Sequence, residues 1–184
     1  MRNAEYFVLD TKMVRVTLWD HANKPIAGKT VRITLNEYGL TYTGITDETG
    51  TATIRVGVGY GVHSATVSFD GDNIYTASNR TGTIKVIKAT PSLMIRGADS
   101  VFQVGDNPKT VKIYLLDRYS KPLPVGSTVT IKINGHTYVG HTDDSGIAYI
   151  NININKKGIF HAEFKYAGNS AYNAVTRTTK IEIQ

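Results

Sequence analysis

The stretch Val14-Arg15-Val16-Thr17-Leu18-Trp19-Asp20 alternates apolar and polar residues up to Trp19, and Val111-Lys112-Ile113-Tyr114-Leu115-Leu116-Asp117 answers it later in the chain. A side-chain period of two puts Val14, Val16 and Leu18 on one face and Arg15, Thr17 and Trp19 on the other, as in a strand buried on one side. Outward from this pair, Lys24-Pro25-Ile26 matches Lys121-Pro122-Leu123, and Thr30-Val31-Arg32-Ile33 matches Thr128-Val129-Thr130-Ile131. Tyr42-Thr43-Gly44-Ile45-Thr46-Asp47-Glu48-Thr49-Gly50 is answered by Tyr138-Val139-Gly140-His141-Thr142-Asp143-Asp144-Ser145-Gly146. Gly71-Asp72-Asn73-Ile74-Tyr75-Thr76-Ala77 is answered by Gly168-Asn169-Ser170-Ala171-Tyr172-Asn173-Ala174. The chain is therefore a duplicated unit.

The same alternation runs through Val31, Ile33, Leu35; Ala52, Ile54, Val56; and Ala65, Val67, Phe69 in the first copy. In the second it runs through Val129, Ile131, Ile133; Ala148, Ile150, Ile152; and Ala162, Phe164, Tyr166. No stretch carries a convincing helical period. Six or seven short strands per copy, separated by Gly, Asp, Asn and Pro turns, predict an all-β chain. Its expected form is two tandem immunoglobulin-like antiparallel β-sandwich domains, residues 1–88 and 89–184. At the seam, Pro91 holds Thr90 extended and makes a short, stiff linker. The second copy has a strand candidate, Ser92-Leu93-Met94-Ile95, ahead of its aligned core, where the first has only Tyr6-Phe7-Val8-Leu9. So abrupt an opening is the expectation for a piece cut from a longer exported array.

Asp47-Glu48-Thr49-Gly50 and Asp143-Asp144-Ser145-Gly146 fit type I turns, with Asp first and Gly fourth. Gly71 and Gly168 are expected to supply a positive φ. Tyr75 and Tyr172, four residues on, are expected to plug the base of each sandwich as structural residues.

Composition narrows the function. Cysteine is absent from the 184 residues, which removes disulfides, thiolate metal sites and a cysteine nucleophile. The net charge is +6, but acidic residues are interspersed, and Lys156-Lys157 is the longest basic run. That is no nucleic-acid footprint, and it leaves only a weak, salt-sensitive attraction to acidic polysaccharide. No apolar run approaches the ~20 residues of a membrane span.

The shared pattern is a strand ending in Asp, then Lys-Pro, Thr-Val-x-Ile, Thr-Asp-x-x-Gly-x-Ala and Gly-[Asp/Asn]-x-x-Tyr-x-Ala. It resembles the bacterial-type Ig-like repeats of prokaryotic cell-surface adhesin-like proteins, most of all those of methanogenic archaea, and more loosely intimin- and invasin-type repeats. The resemblance covers nearly all of both copies. It implies a non-enzymatic stalk, spacer and adhesion module, extracellular and at the cell surface. Its implied partners are adjacent Ig-like repeats in a longer chain, and surface glycans or proteins of other cells.

Duplication is also an internal control, because a residue present in both copies belongs to the scaffold. No histidine is shared: His21, His63, His141 and His161 align with Arg118, Phe160, Ile45 and Ser64. His136 and His141, five apart on a strand, face opposite ways and do not chelate one metal. Asp70 and Asp72 align with Ala167 and Asn169, so no acidic ligand set is kept, and calcium is expected only at the junction between copies. No serine has a base and an orienter in a recognisable context. The Gly57–Gly61 stretch lacks the strand–loop–helix grammar of a phosphate loop. Lys12 and Lys109 occupy the place of a crosslinking lysine, but no buried acid accompanies them, because Glu163 falls on a polar phase. Asn79-Arg80-Thr81 is a glycosylation sequon of the first copy alone. Trp19, Tyr42, Tyr60, Tyr114, Tyr138 and Tyr149 fall on or near outward phases and are the candidate binding residues. Trp19, opposite Leu116 in the other copy, stands out among them. The alternative function is accordingly a carbohydrate-binding module built on exposed aromatics around Trp19.

Overall fold

Strands form where the alternation and the β-branched residues coincide. The computed structural model describes residues 3–96 and 100–184, in two units, Met1–Lys88 and Ala89–Gln184. The first unit holds β1 (Ala4–Phe7), β2 (Lys12–Thr17), β3 (Thr30–Leu35), β4 (Leu40–Ile45), β5 (Thr51–Val56), β6 (Gly61–Phe69) and β7 (Ser78–Ile87). The second holds β8 (Ser92–Met94), β9 (Val101–Phe102), β10 (Lys109–Leu116), β11 (Thr128–Ile133), β12 (His136–His141), β13 (Ile147–Ile152), β14 (Gly158–Tyr166) and β15 (Val175–Ile183).

In the first unit a five-stranded sheet, β1-β7-β6-β3-β4, lies over the pair β2-β5; in the second, β12-β11-β14-β15-β9 lies over β13-β10-β8. Inward side chains of both layers meet in one core. Val14, Val16, Ala52, Ile54 and Val56 of the small sheet pack with Val31, Ile33, Leu35, Ala65, Val67, Phe69, Ile84 and Val86 of the large one. Val111, Ile113, Leu115, Ala148, Ile150 and Ile152 meet Val129, Ile131, Ile133, Ala162, Phe164 and Ile181 in the same way. Each such Ile or Leu is worth about 1.5–3 kcal/mol on burial, and this term holds the two layers together. At one place the layers nearly touch. A Cβ on Gly44 would lie 2.6 Å from Ile54 Cγ1, and one on Gly140 would lie 2.5 Å from Ile150 Cγ1.

The ladders are antiparallel with two exceptions: β1 runs parallel to β7, and β9 parallel to β15. This corrects the reading of the first strand. Tyr6-Phe7 belongs to β1, whose counterpart is β9 and not β8. Phe7 N–H donates to Asp10 Oδ2 as Gln103 N–H does to Asp106 Oδ2, and Val8 N–H reaches the Ile87 carbonyl as Val104 N–H reaches Gln184. The strand β8, which pairs with β10 through Met94–Tyr114, Leu93–Leu115 and Ser92–Leu116, has no counterpart among the described residues of the first unit.

Candidate functional site

Most residues common to the two copies serve backbone geometry. Gly50 N–H donates to the Asp47 carbonyl at 2.8 Å and Gly146 N–H to that of Asp143 at 3.1 Å, closing both turns. Asp47 Oδ1 accepts from the Thr49 and Thr51 amides, and Asp143 Oδ1 from those of Ser145 and Ile147. The Thr49 hydroxyl and the Thr51 amide hold the Asp47 carboxyl below the ordinary range. Gly71 and Gly168 both have φ +83°, and a Cβ at either would sit 2.7 Å from the nitrogen of Ala77 or Ala174. Asp20 and Asp117, which end the repeated strand in the sequence pattern, have a turn role that the pattern alone did not assign. Asp20 Oδ1 accepts from Ala22 and Lys24, and Asp117 Oδ1 from Tyr119 and Lys121, turning the chain into the Lys-Pro bridge.

Lys12 and Lys109 are buried at the matching starts of β2 and β10. Lys12 Nζ donates to the Val8 carbonyl at 2.5 Å; Lys109 Nζ donates to Val104 and Asp106 at 2.9 and 2.7 Å. Each ammonium therefore ties the loop after β1 or β9 to the strand that follows, and its partners are carbonyls. Glu163 is exposed on the outer face of β14. The occurrence of a lysine at this place in each copy was the available signal, but burial of an ammonium runs against its usual preference for water.

The aromatics divide. Trp19 is 54% exposed, and its Nε1–H reaches the Thr49 carbonyl at 3.4 Å. Tyr42 and Tyr138 correct the expectation of an outward face: both are half-buried against their cores. Tyr42 Oη donates to the Gly57 carbonyl at 3.1 Å, and Tyr138 Oη lies 3.4 Å from that of Asn153. Their residual exposure comes from their position on the rim strands β4 and β12. Tyr60 is 64% exposed, with the Lys88 ammonium 5.5 Å from its ring centre, and half-buried Tyr114 carries the Arg96 guanidinium at 4.4 Å.

These rings do not form one platform. Trp19 binds just before β5 begins and Tyr42 just after it ends, so the six residues of β5, roughly 20 Å, separate them. Tyr114 pairs with Ile147 at the start of β13, whereas Tyr138 reaches Asn153 beyond its end. Trp19 instead borders an open groove of about 410 Å³ with Leu18, Ile26, Phe69, Ile74 and Tyr75. Tyr75 is half-buried there, while its counterpart Tyr172 is buried.

The polar clusters are small. Buried His63 has Nδ1 3.1 Å from Glu37 Oε2 and Nε2 3.0 Å from the Gly59 carbonyl, the position that Phe160 fills in the other unit. The Ser64 amide and His63 hold the Glu37 carboxyl low. Asp72 pairs with Lys29 at 2.6 Å and accepts from the Ile74 and Tyr75 amides; the lysine first, then those amides, hold its carboxyl at about 2. Among the described residues no three His, Asp or Glu side chains gather as metal ligands. Asn79, on β7, is exposed.

Two inward-alternating sheets around one core, with each parallel edge strand tied back by a lysine loop, define an immunoglobulin-like β-sandwich, present here twice. No family model matches the chain, and no curated protein matches it. Among solved structures, invasin, described as a bacterial integrin-binding protein, is similar over 98% of this chain at 18% identity with a TM-score of 0.50. The chain spans 37% of that invasin structure. InvD of Yersinia pseudotuberculosis is similar over 99% of this chain and 55% of its own, at 22% identity and a TM-score of 0.35. The fibronectin(III)-like modules of Clostridium thermocellum CbhA are similar over 100% of this chain and 89% of theirs, at 13% identity and a TM-score of 0.38. At such identities the likeness to invasin is one of fold, and the two lower scores add nothing to it.

Proposed function

We propose that the chain is a non-enzymatic Ig-like pair from a cell-surface adhesin-like protein, acting as a stalk or spacer and adhesion module beside further repeats. One observation carries the reading: what the copies share is taken up by the scaffold. The Asp turns, the close-approach glycines, the buried lysines and the core account for it, which is the pattern of a unit kept for its shape. The fold likeness to invasin supports the adhesin setting, and with it an extracellular, cell-surface location. A source among methanogenic archaea rests on the sequence resemblance alone.

The carbohydrate-binding alternative draws on the exposure of Trp19, but the separation of the rings along β5 and β13 deprives it of a continuous stacking face. A glycan-array and whole-cell binding screen of the intact pair, with Trp19→Ala as control, tests the choice. The spacer reading expects no saturable signal that the substitution removes. Saturable binding lost in Trp19→Ala would make the pair a recognition module instead.

A further inference from the structure

His63, 6% exposed, has an acceptor against each of its ring nitrogens. Nδ1 lies 3.1 Å from Glu37 Oε2, and Nε2 lies 3.0 Å from the Gly59 carbonyl oxygen. A neutral imidazole carries one N–H, so only the imidazolium donates to both. The histidine and its carboxylate are peculiar to the first copy. Four residues, 36–39, join β3 to β4, where two, Asn134 and Gly135, join β11 to β12. The longer hairpin supplies Glu37, whose Oε1 accepts from the Ser64 amide at 3.1 Å, and Tyr38, whose ring centre lies 6.0 Å from that of the imidazole. The second unit has Phe160 in place of His63 and a hairpin too short to reach it. Among the described residues the neighbouring charges turn elsewhere. Lys85 of β7 pairs with Glu5 at 2.8 Å, Lys12 and Asp10 bond to the backbone of Val8 and Phe7, and the Lys88 ammonium lies over the Tyr60 ring. The Glu37 side chain is 41% exposed, which leaves the pair open to protons from solvent.

We propose that His63 is a pH-operated latch: as an imidazolium it ties the β3–β4 hairpin to the loop of residues 57–60, and on losing a proton it releases that loop. The carboxylate is the stronger acceptor, so the neutral ring keeps Nδ1–H on Glu37 and turns the lone pair of Nε2 to the Gly59 carbonyl. Two acceptors 3.0 Å apart repel each other, and the carbonyl turns away. Gly59 permits this, because a Cβ there would meet nothing within 4 Å, and glycines stand two residues to either side. Glu37 stays ionised meanwhile, since the Ser64 amide first, and then His63, hold its carboxyl below the ordinary 4.5. The sign follows from the proton. The contact is complete while the ring is charged, and its contribution is lost as pH rises through the histidine range of about 5–8. The loop carries Tyr60, 64% exposed with the Lys88 ammonium 5.5 Å from its ring centre, so the latch fixes an exposed aromatic at one end of the first unit. This goes beyond the stalk reading and does not depend on it.

Imidazole NMR spectra of the full chain, recorded from about pH 5 to pH 8, test the latch, because each ring reports its own protons. The expected result is two N–H groups on His63 at the acid end and loss of the Nε2 proton as pH rises. The Tyr60 amide, on the same peptide plane as the Gly59 carbonyl, should shift with the same midpoint, and amide relaxation should show residues 57–60 loosening. Glu37→Gln, at a part-exposed side chain, should move that midpoint to lower pH. Urea unfolding followed by Trp19, the only tryptophan, adds a stability readout. Over this pH range the unfolding constant should rise about tenfold more in the parent than in His63→Phe, which installs the side chain that Phe160 provides in the other unit. The latch is overturned by a single His63 N–H at the acid end, by loss of the Nδ1 proton first, or by a Tyr60 amide that ignores the titration. It is equally overturned by an unmoved midpoint in Glu37→Gln, or by the same pH dependence in His63→Phe as in the parent.

Discussion

Gly28 and Gly50 have nearly the same backbone conformation, φ +69° and +71°, in different surroundings. A Cβ on Gly28 meets nothing within 4 Å; one on Gly50 meets the Leu18 carbonyl oxygen at 2.6 Å and Pro25 Cβ at 3.0 Å. Alanine at either position incurs the left-handed penalty, about 1–2 kcal/mol. At Gly50 the turn and the Lys-Pro bridge must also separate, and forced overpacking adds about 1–3 kcal/mol. Gly28→Ala should therefore destabilise the first unit by about 1–2 kcal/mol and Gly50→Ala by about 2–5 kcal/mol. Urea denaturation followed by Trp19 fluorescence measures both, because the only tryptophan lies in this unit. Equal losses would show that the bridge does not constrain the turn, and would falsify the claim that Gly50 is kept for contact as well as for conformation.

Three further outcomes follow from the polar scaffold. Lys109→Met keeps the length of the side chain but leaves two carbonyls without their donor; slowed protection in β10 and β15 by hydrogen exchange should fall by about 1–3 kcal/mol, and unchanged protection would contradict the tie. The Asp72 carboxyl, held at about 2 against an ordinary 3.8, favours the fold above pH 4, and that contribution is lost as pH falls through about 2. Asp72→Asn should accordingly be less stable than the parent at pH 6, with the gap in urea midpoint closing towards pH 2; a pH-independent gap would refute the linkage. Trp19→Ala, which removes a half-exposed ring with one long hydrogen bond, should shift the thermal transition followed by circular dichroism by less than about 1 kcal/mol equivalent.

The core was legible because strand period and burial are the same fact seen twice. Every inward residue read from Val31-Ile33-Leu35 to Ala162-Phe164-Tyr166 is buried. The Asp turns were legible because an Asp side chain and a following Gly satisfy local amides without help from the rest of the fold. The misplaced features depend on non-local geometry. Tyr42 and Tyr138 are on the inward phase of their strands, opposite buried Ile33 and Ile131, but β4 and β12 lie at the rim of their sheets and carry a glycine at the next inward position, so no apolar alternation marked that phase. Tyr6-Phe7 was matched to β8 by position before the first aligned strand, but pairing is decided by the Asp10 and Asp106 loop bonds, which periodicity does not reveal. The His63–Glu37 contact spans a separation of 26 residues and replaces a Phe, so neither spacing nor duplication announced it.

The duplication also explains features that a single copy would leave arbitrary. Tyr75 and Tyr172 occupy the same turn and follow glycines with the same φ, yet only Tyr172 is buried. The turn itself cannot cause the difference, because its internal bonds match: Asp72 N–H to Tyr75 and Asn169 N–H to Tyr172. What changes is the covering segment, with Ala89 beside Tyr172 and Leu93 against Leu115. Among the described residues no such segment lies against the first unit, where Ile74 is exposed and Leu18 half-buried beside the groove that Trp19 borders.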